Sequence, residues 1–302
     1  MANFILIGVF VGLGLLFRRL KAFPRDSAQA FNMFALYVSL PALILLKVPQ
    51  IDFSRDMLVP ALVPWGVLGL SVALVLLAAR LWRWSRSITG VLLLVVPLGN
   101  TSFMGVPMVS AFFGADGIPY LIIYDQLGTM LTFASYGSVI LALYGSEGSL
   151  SLVSVARRAL LFPPTIALLA GLLLRSWPYP EAVATVLHNV SQSLIPLVMT
   201  AIGFQMNLRL RPTVLAPLGF GLGLKLIIAP VAALLGCRLL GLHGLPADIS
   251  VFEAGMPPMV TAAALAVAAG MEAELAIALA GLGLIFAFAT LPVLYGLLQF
   301  WP

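Results

Sequence analysis

The sequence predicts an all-α polytopic membrane protein, on three observations. Hydrophobic residues make up 62% of the 302 residues and charged residues 9%, against roughly 25% charged in an ordinary globular chain. The mean hydropathy of +1.10 leaves too few polar groups to coat a water-soluble body of this size. Ten apolar stretches recur along the chain, most near the roughly 20 residues a helix needs to cross a bilayer. The single cysteine, Cys237, excludes an intramolecular disulfide and a cysteine-rich metal cluster.

The ten stretches are residues 3–17, 28–47, 58–79, 88–112, 118–143, 159–175, 183–206, 213–239, 247–270 and 275–300. The first resembles a secretory leader only in its apolarity. A leader carries positive charge before its apolar core, whereas Arg18, Arg19 and Lys21 follow this one. That order keeps the basic flank in the cytoplasm and sends Met1 outside. The third stretch ends in Arg80, Trp82, Arg83, Trp84 and Arg86, an interfacial anchor of aromatic and basic side chains.

Counting basic residues loop by loop sets the topology. After stretches 1, 3, 5 and 7 come Arg18, Arg19, Lys21, Arg25, Arg80, Arg83, Arg86, Arg157, Arg158, Arg209 and Arg211. The opposite loops hold Lys47, Arg55, Arg175 and Arg238. Eleven against four places both termini outside, in a multi-pass protein of the cell (plasma or inner) membrane. The net charge of +5 and the pI near 9.7 therefore mark orientation, and no nucleic-acid partner is expected.

The short Ser/Gly-containing segment 146–158 is the expected cytoplasmic seam between two five-helix repeats, 1–145 and 159–302. Five is odd, so the second repeat enters from the opposite side, the inverted arrangement of many secondary transporters. Two echoes support it. Ser39-Leu40-Pro41-Ala42-Leu43 in stretch 2 answers Leu194-Ile195-Pro196-Leu197-Val198 in stretch 7, with the prolines 155 residues apart. Gly105-Val106-Pro107-Met108 in stretch 4 answers Gly255-Met256-Pro257-Pro258 in stretch 9, at an offset of 150.

Those last two segments predict broken helices. Proline removes an N–H and clashes with the carbonyl four residues back, and glycine lets the backbone leave helical geometry. At 1.5 Å per residue, Pro107 and Pro257 both fall roughly 14 Å from the outer edge, so the two breaks are expected to cross near the midplane. Half-helix N-termini there, with their free N–H groups and positive dipole ends, suit a small anion. Asn100, Thr101 and Ser102 supply donors and acceptors beside the first break. The substrate-binding candidates are thus Asn100, Thr101, Gly105, Pro107, Gly255, Met256, Pro257 and Pro258. An ordinary proline kink packed against neighbours is the plainer alternative for either break taken alone.

Asp125, Lys225 and Glu253 fall well inside stretches, where each costs about 2.5–3.5 kcal/mol on insertion scales and should face protein or a water-filled cavity. With Gln126 they are the coupling or charge-balancing candidates. In one reading a carboxylate carries a coupling H+ or Na+ while Lys225 meets the anion. In the other, Lys225 simply pairs with Asp125 or Glu253 to hold helices together. No metal site, bound cofactor or catalytic residue is expected. The Gly219-Phe220-Gly221-Leu222-Gly223 run with Lys225 lacks the spacing of a phosphate loop, and no nucleophile elbow or zinc signature occurs.

Pro97-Leu98-Gly99-Asn100-Thr101-Ser102-Phe103-Met104-Gly105-Val106-Pro107-Met108 resembles the fourth-span signature of the auxin efflux carrier family, which includes the PIN-FORMED transporters and bacterial malate or malonate permeases. Leu40-Pro41-Ala42-Leu43, Tyr124-Asp125-Gln126-Leu127-Gly128 and Lys225-Leu226-Ile227-Ile228-Ala229-Pro230 are similar to it too. The resemblance implies ten helices in two inverted repeats, with spans 4 and 9 crossing at their prolines. It further implies a homodimer, with spans 1, 2, 6 and 7 as scaffold and spans 3–5 and 8–10 as an elevator-like transport domain. Asn100 and the backbone beside Pro107 and Pro257 would then meet a carboxylate. Glu253 and the doubled Pro257-Pro258 depart from the family pattern.

The expected function is secondary transport, or facilitated passage, of a small organic anion. The alternatives are a sodium-coupled symporter of the bile-acid-transporter type, and a transporter-like sensor, for which the sequence shows no appended signalling domain.

Overall fold

A computed structural model describes residues 2–24, 26–50, 55–145, 161, 163–177, 179–205 and 214–300. The expected seam 146–158 and the loop arginines Arg25, Arg157, Arg158, Arg209 and Arg211 lie outside the described residues. Among the described residues there is no β-strand, and twelve helical segments follow one another.

These are α1 (Ala2–Arg19), α2 (Ser27–Gln50), α3 (Arg55–Trp82), α4 (Arg86–Val95), α5 (Gly105–Phe112) and α6 (Gly114–Tyr144). They continue as α7 (Pro163–Ser176), α8 (Glu181–Phe204), α9 (Leu215–Leu239), α10 (Leu245–Ala254), α11 (Val260–Ala268) and α12 (Ala273–Phe300). Six of them, α2, α3, α6, α8, α9 and α12, are long and apolar enough to cross a membrane. Stretches 88–112 and 247–270 each divide into two pieces, α4 with α5 and α10 with α11.

The chain clusters into two compact units. The first comprises residues 1–54, 102–122 and 158–207; the second comprises 55–101, 123–157 and 208–302.

In the first unit, α1 lies along the second half of α8 through glycine. A Cβ on Gly14 would strike the Thr200 carbonyl oxygen, and one on Gly203 the Val11 carbonyl oxygen. In lipid, where apolar side chains gain little by leaving hydrocarbon, such small-residue faces let backbones approach and pack. α2 meets α8 through hydroxyls: Ser39 Oγ and Ser193 Oγ are 2.7 Å apart. Ser193 already donates its proton to the Val190 carbonyl at 2.6 Å, so Ser39 is the donor between the two. A π turn, Ala35–Ser39, presents that hydroxyl.

In the second unit, α3 packs on α6 where the latter runs as a π turn, Tyr124–Met130. Gly128 has no Cβ to collide with the Pro64 ring, and the Trp65 indole N–H donates to the Leu127 carbonyl at 3.3 Å. Tyr136 donates to the Leu93 carbonyl at 2.9 Å and so ties α6 to α4. Trp82, Trp84 and Phe220 form an aromatic group with ring centroids 5.0–5.5 Å apart. Arg83 between the tryptophans closes α3 in a left-handed conformation, φ 50°.

The α1–α8 contact gives a direct test. Gly203→Ala forces the two backbones apart and should cost about 1–3 kcal/mol, as overpacking does. Gly12→Ala, on the partner helix α1 but with nothing within 4 Å of the added methyl, should leave thermal melting in detergent unchanged.

Candidate functional site

The site is built where the second unit brings its two helix interruptions together. α4 ends at Val95, and the backbone is non-helical from Pro97 to Met104. α10 ends at Ala254 and α11 begins at Val260. Gly99 and Pro258 face each other as an isolated antiparallel bridge. The Asn100 N–H donates to the Pro257 carbonyl at 2.7 Å, and the Met259 N–H to the Leu98 carbonyl at 2.9 Å.

This register explains the residue types. Asn100 and Met259 make the two hydrogen bonds, so Gly99 and Pro258 form a non-hydrogen-bonded pair, the closer of the two antiparallel kinds. Pro258 has no N–H and is not asked for one. Opposite it, Gly99 leaves space that the Lys225 side chain occupies. A Cβ on Gly99 would lie 3.2 Å from Lys225 Nζ and 3.2 Å from the Thr101 methyl.

The expectation set the first break at Pro107, and the structure moves it. The chain leaves the helix after Val95 and resumes at Gly105, so Pro107 stands in the first turn of α5. The first-turn amides of a helix have no intrahelical acceptor, so proline loses nothing there. Pro107 and Gly105 belong to the first unit, whereas Asn100, Thr101, Gly255, Met256, Pro257 and Pro258 belong to the second. The division falls between Thr101 and Ser102.

Around the bridge the second unit gathers the intramembrane charges. Asp125 (2% exposed) sits in the π turn of α6, and Lys225 (1%) in another π turn, Leu224–Ile228 of α9. Such single-turn insertions redirect side chains and free backbone groups, and they cluster at functional sites. The Asp125 carboxylate accepts from the Thr101 hydroxyl and from Gln126 Nε2 at 2.7 Å. It therefore anchors the strand-like segment that carries Asn100.

Glu253, 0% exposed, stands in the last turn of α10. Its charge acts against that of Asp125 and with that of Lys225. Gly255 closes α10 with its N–H on the Val251 and Phe252 carbonyls, at 3.3 and 3.1 Å. Met256 N–H donates to the Glu253 carbonyl at 3.1 Å.

Among the described residues, Asn100 Nδ2, Gln126 Oε1 and both carboxylate oxygens of Glu253 are buried without a hydrogen-bond partner. An unsatisfied buried group costs about 1–3 kcal/mol, more when charged. Groups left so beside a helix interruption point to a ligand that completes them. Among the described residues, no three of His, Cys, Asp and Glu gather as metal ligands would.

Sequence reasoning singled out the polar residues and prolines but missed Leu98, Gly99 and Met259, which supply the bridge and the space for Lys225. Gly99 two residues after Pro97 was the available signal. It also missed Ser193, whose partner Ser39 opens one of the two repeat echoes.

Comparison with known proteins finds relatives named as transporters. An archaeal protein named as an uncharacterized transporter, from Methanothermobacter thermautotrophicus, is 29% identical over 288 residues, covering 94% of each chain. Another so named, from Methanocaldococcus jannaschii, is 26% identical over 270 residues, covering 84% of this chain and 83% of its own. The family model described as membrane transport protein matches residues 2–295. A chain of apolar helices with two interruptions bonded to each other, matched over nearly its whole length by that model, belongs to the membrane transport protein family of auxin efflux carriers.

Proposed function

We propose that this transporter is a secondary carrier of a small organic anion, which it holds at the Gly99–Pro258 bridge. The observation that carries this reading is the company the bridge keeps. The Asn100 amide nitrogen has no acceptor among the described residues, and the Lys225 ammonium lies against Gly99. α11 starts at the next residue but one after Pro258, so its first amides point from the same place without intrahelical acceptors. A donor, a cation and a positive helix end converge, and a carboxylate satisfies all three.

In this reading the polypeptide crosses the membrane ten times as two inverted five-helix repeats. Spans 4 and 9 are the pairs α4/α5 and α10/α11, and both termini are extracytoplasmic. Support comes from the alternation of basic loops and from two contacts between the halves of the chain. One of these is the Ser39–Ser193 hydroxyl pair; the other is the Gly99–Pro258 bridge. Access alternates by elevator-like movement of the unit that carries the bridge. The partition of the chain supports this, since spans 1, 2, 6 and 7 cluster in one unit and most of spans 3, 5, 8, 9 and 10 in the other. No nucleotide motif is present in the sequence, so drive comes from ion, voltage or substrate gradients. A homodimer remains the working assembly.

Thermal-shift titration of the purified protein with acetate, lactate, succinate, malate and indole-3-acetate should find a stabilising anion. Asn100→Ala should weaken that binding about tenfold or more, the loss of a hydrogen bond to a charged group being about 1.5–3 kcal/mol. Lys225→Gln should weaken it at least as much. Unchanged binding in both variants would place the anion elsewhere.

A further inference from the structure

The Glu253 carboxylate is fully buried, and neither of its oxygens is hydrogen-bonded among the described residues. We infer that Glu253 is a proton-binding site, loaded together with the anion, so that the carrier moves one proton with each anion. The inference rests on the anion reading above and adds the coupling ion to it.

The argument is one of charge and partners. Three ionisable groups share the site: Asp125 on α6, Lys225 on α9 and Glu253 on α10. The two carboxylates are not equivalent. Asp125 has the Thr101 hydroxyl and the Gln126 amide directed at its oxygens, donors that serve a carboxylate. Glu253 has none. It also sits at the C-terminal end of α10, where the helix dipole presents negative potential. One ammonium balances one carboxylate, and Asp125 is the one built to stay ionised. A net charge in hydrocarbon surroundings is costly, and a proton on Glu253 removes it.

Among the described residues, the other charged groups on the elements against α10 lie towards helix ends, and Arg238 of α9 acts on Asp248 in the first turn of α10. Tyr124 of α6 is neutral as a phenol and interacts with Glu253. α3 carries its charges, Arg55, Asp56 and Arg80, towards its ends, while α12 brings Glu274 in its first turn and Tyr295 five residues before its end.

Coupling follows from shared use of Lys225. With no anion present, the ammonium attracts the Glu253 carboxylate, and Glu253 is able to ionise. When an anion occupies the bridge beside Lys225, it adds a negative charge and competes for the same ammonium. Glu253 then takes up a proton from the side open to solution. By linkage, the proton strengthens anion binding by the factor by which the anion strengthens proton binding. Anion affinity therefore rises as pH falls. A sodium ion fits this site less well, since the ammonium that attracts the anion repels it.

Two readouts test this. Infrared pH-difference spectra of the reconstituted protein, recorded with saturating succinate or whichever panel anion binds, should show a protonated-carboxyl C=O band. That band should be absent in Glu253→Gln, shifted but present in Glu253→Asp, and retained in Asp125→Asn. Its persistence in Glu253→Gln, or its loss only in Asp125→Asn, would overturn the assignment. In voltage-clamped proteoliposomes, corrected for protein-free liposomes, one unit of inward-directed pH gradient should drive about tenfold accumulation, as one coupled proton requires. Glu253→Gln should show no such drive; an undiminished response would equally overturn the proposal. If instead Asn100→Ala and Lys225→Gln both bind anions normally while the infrared band still depends on Glu253, the anion reading fails and the proton site stands.

Discussion

A backbone inside hydrocarbon has no water to fall back on, so every amide and carbonyl released by a helix break must find a partner in the protein or in a ligand. This chain breaks two helices in its interior and lets each break serve the other. Asn100 donates to Pro257 and Met259 donates to Leu98. Everything distinctive about the site follows from that exchange. It fixes the register that puts Gly99 opposite Pro258 and opens room for the Lys225 side chain, beside an Asn100 amide nitrogen with no acceptor among the described residues.

The bridge is held from outside by a chain of specific contacts. Gly128 admits the Pro64 ring against the π turn of α6, and Trp65 takes the carbonyl that the turn exposes. That turn carries Asp125, which grips Thr101, the neighbour of Asn100. Tyr136 fastens α6 to the end of α4 through Leu93. These contacts hold the interruption where it meets its partner, the preorganisation that the proposed anion site needs. The first unit shows a different device, close glycine packing at Gly14 and Gly203 with a hydroxyl pair at Ser39 and Ser193.

Much of this was readable in the primary structure. Composition and hydropathy set the membrane class, and ten apolar stretches marked where helices fall. Asp125, Lys225 and Glu253 stood out because charge inside a span is expensive wherever it occurs. The prolines of stretches 4 and 9 flagged the two broken spans. The position of the first break was misjudged because Pro107 was given the part that the non-helical run from Pro97 to Met104 plays. Proline breaks a helix only where an N–H is needed, and in the first turn of α5 none is.

The sequence by itself determined the solvent this protein lives in, the order of its helices and which polar side chains had to be buried, since these depend on local chemistry and one-dimensional pattern. Only the tertiary structure decided which of those side chains meet. The Gly99–Pro258 pair is 159 positions apart, and the π turns that aim Asp125 and Lys225 inward differ from ordinary helix by one inserted residue. Such choices are made by packing between segments remote in the chain, where no neighbouring residue carries the signal.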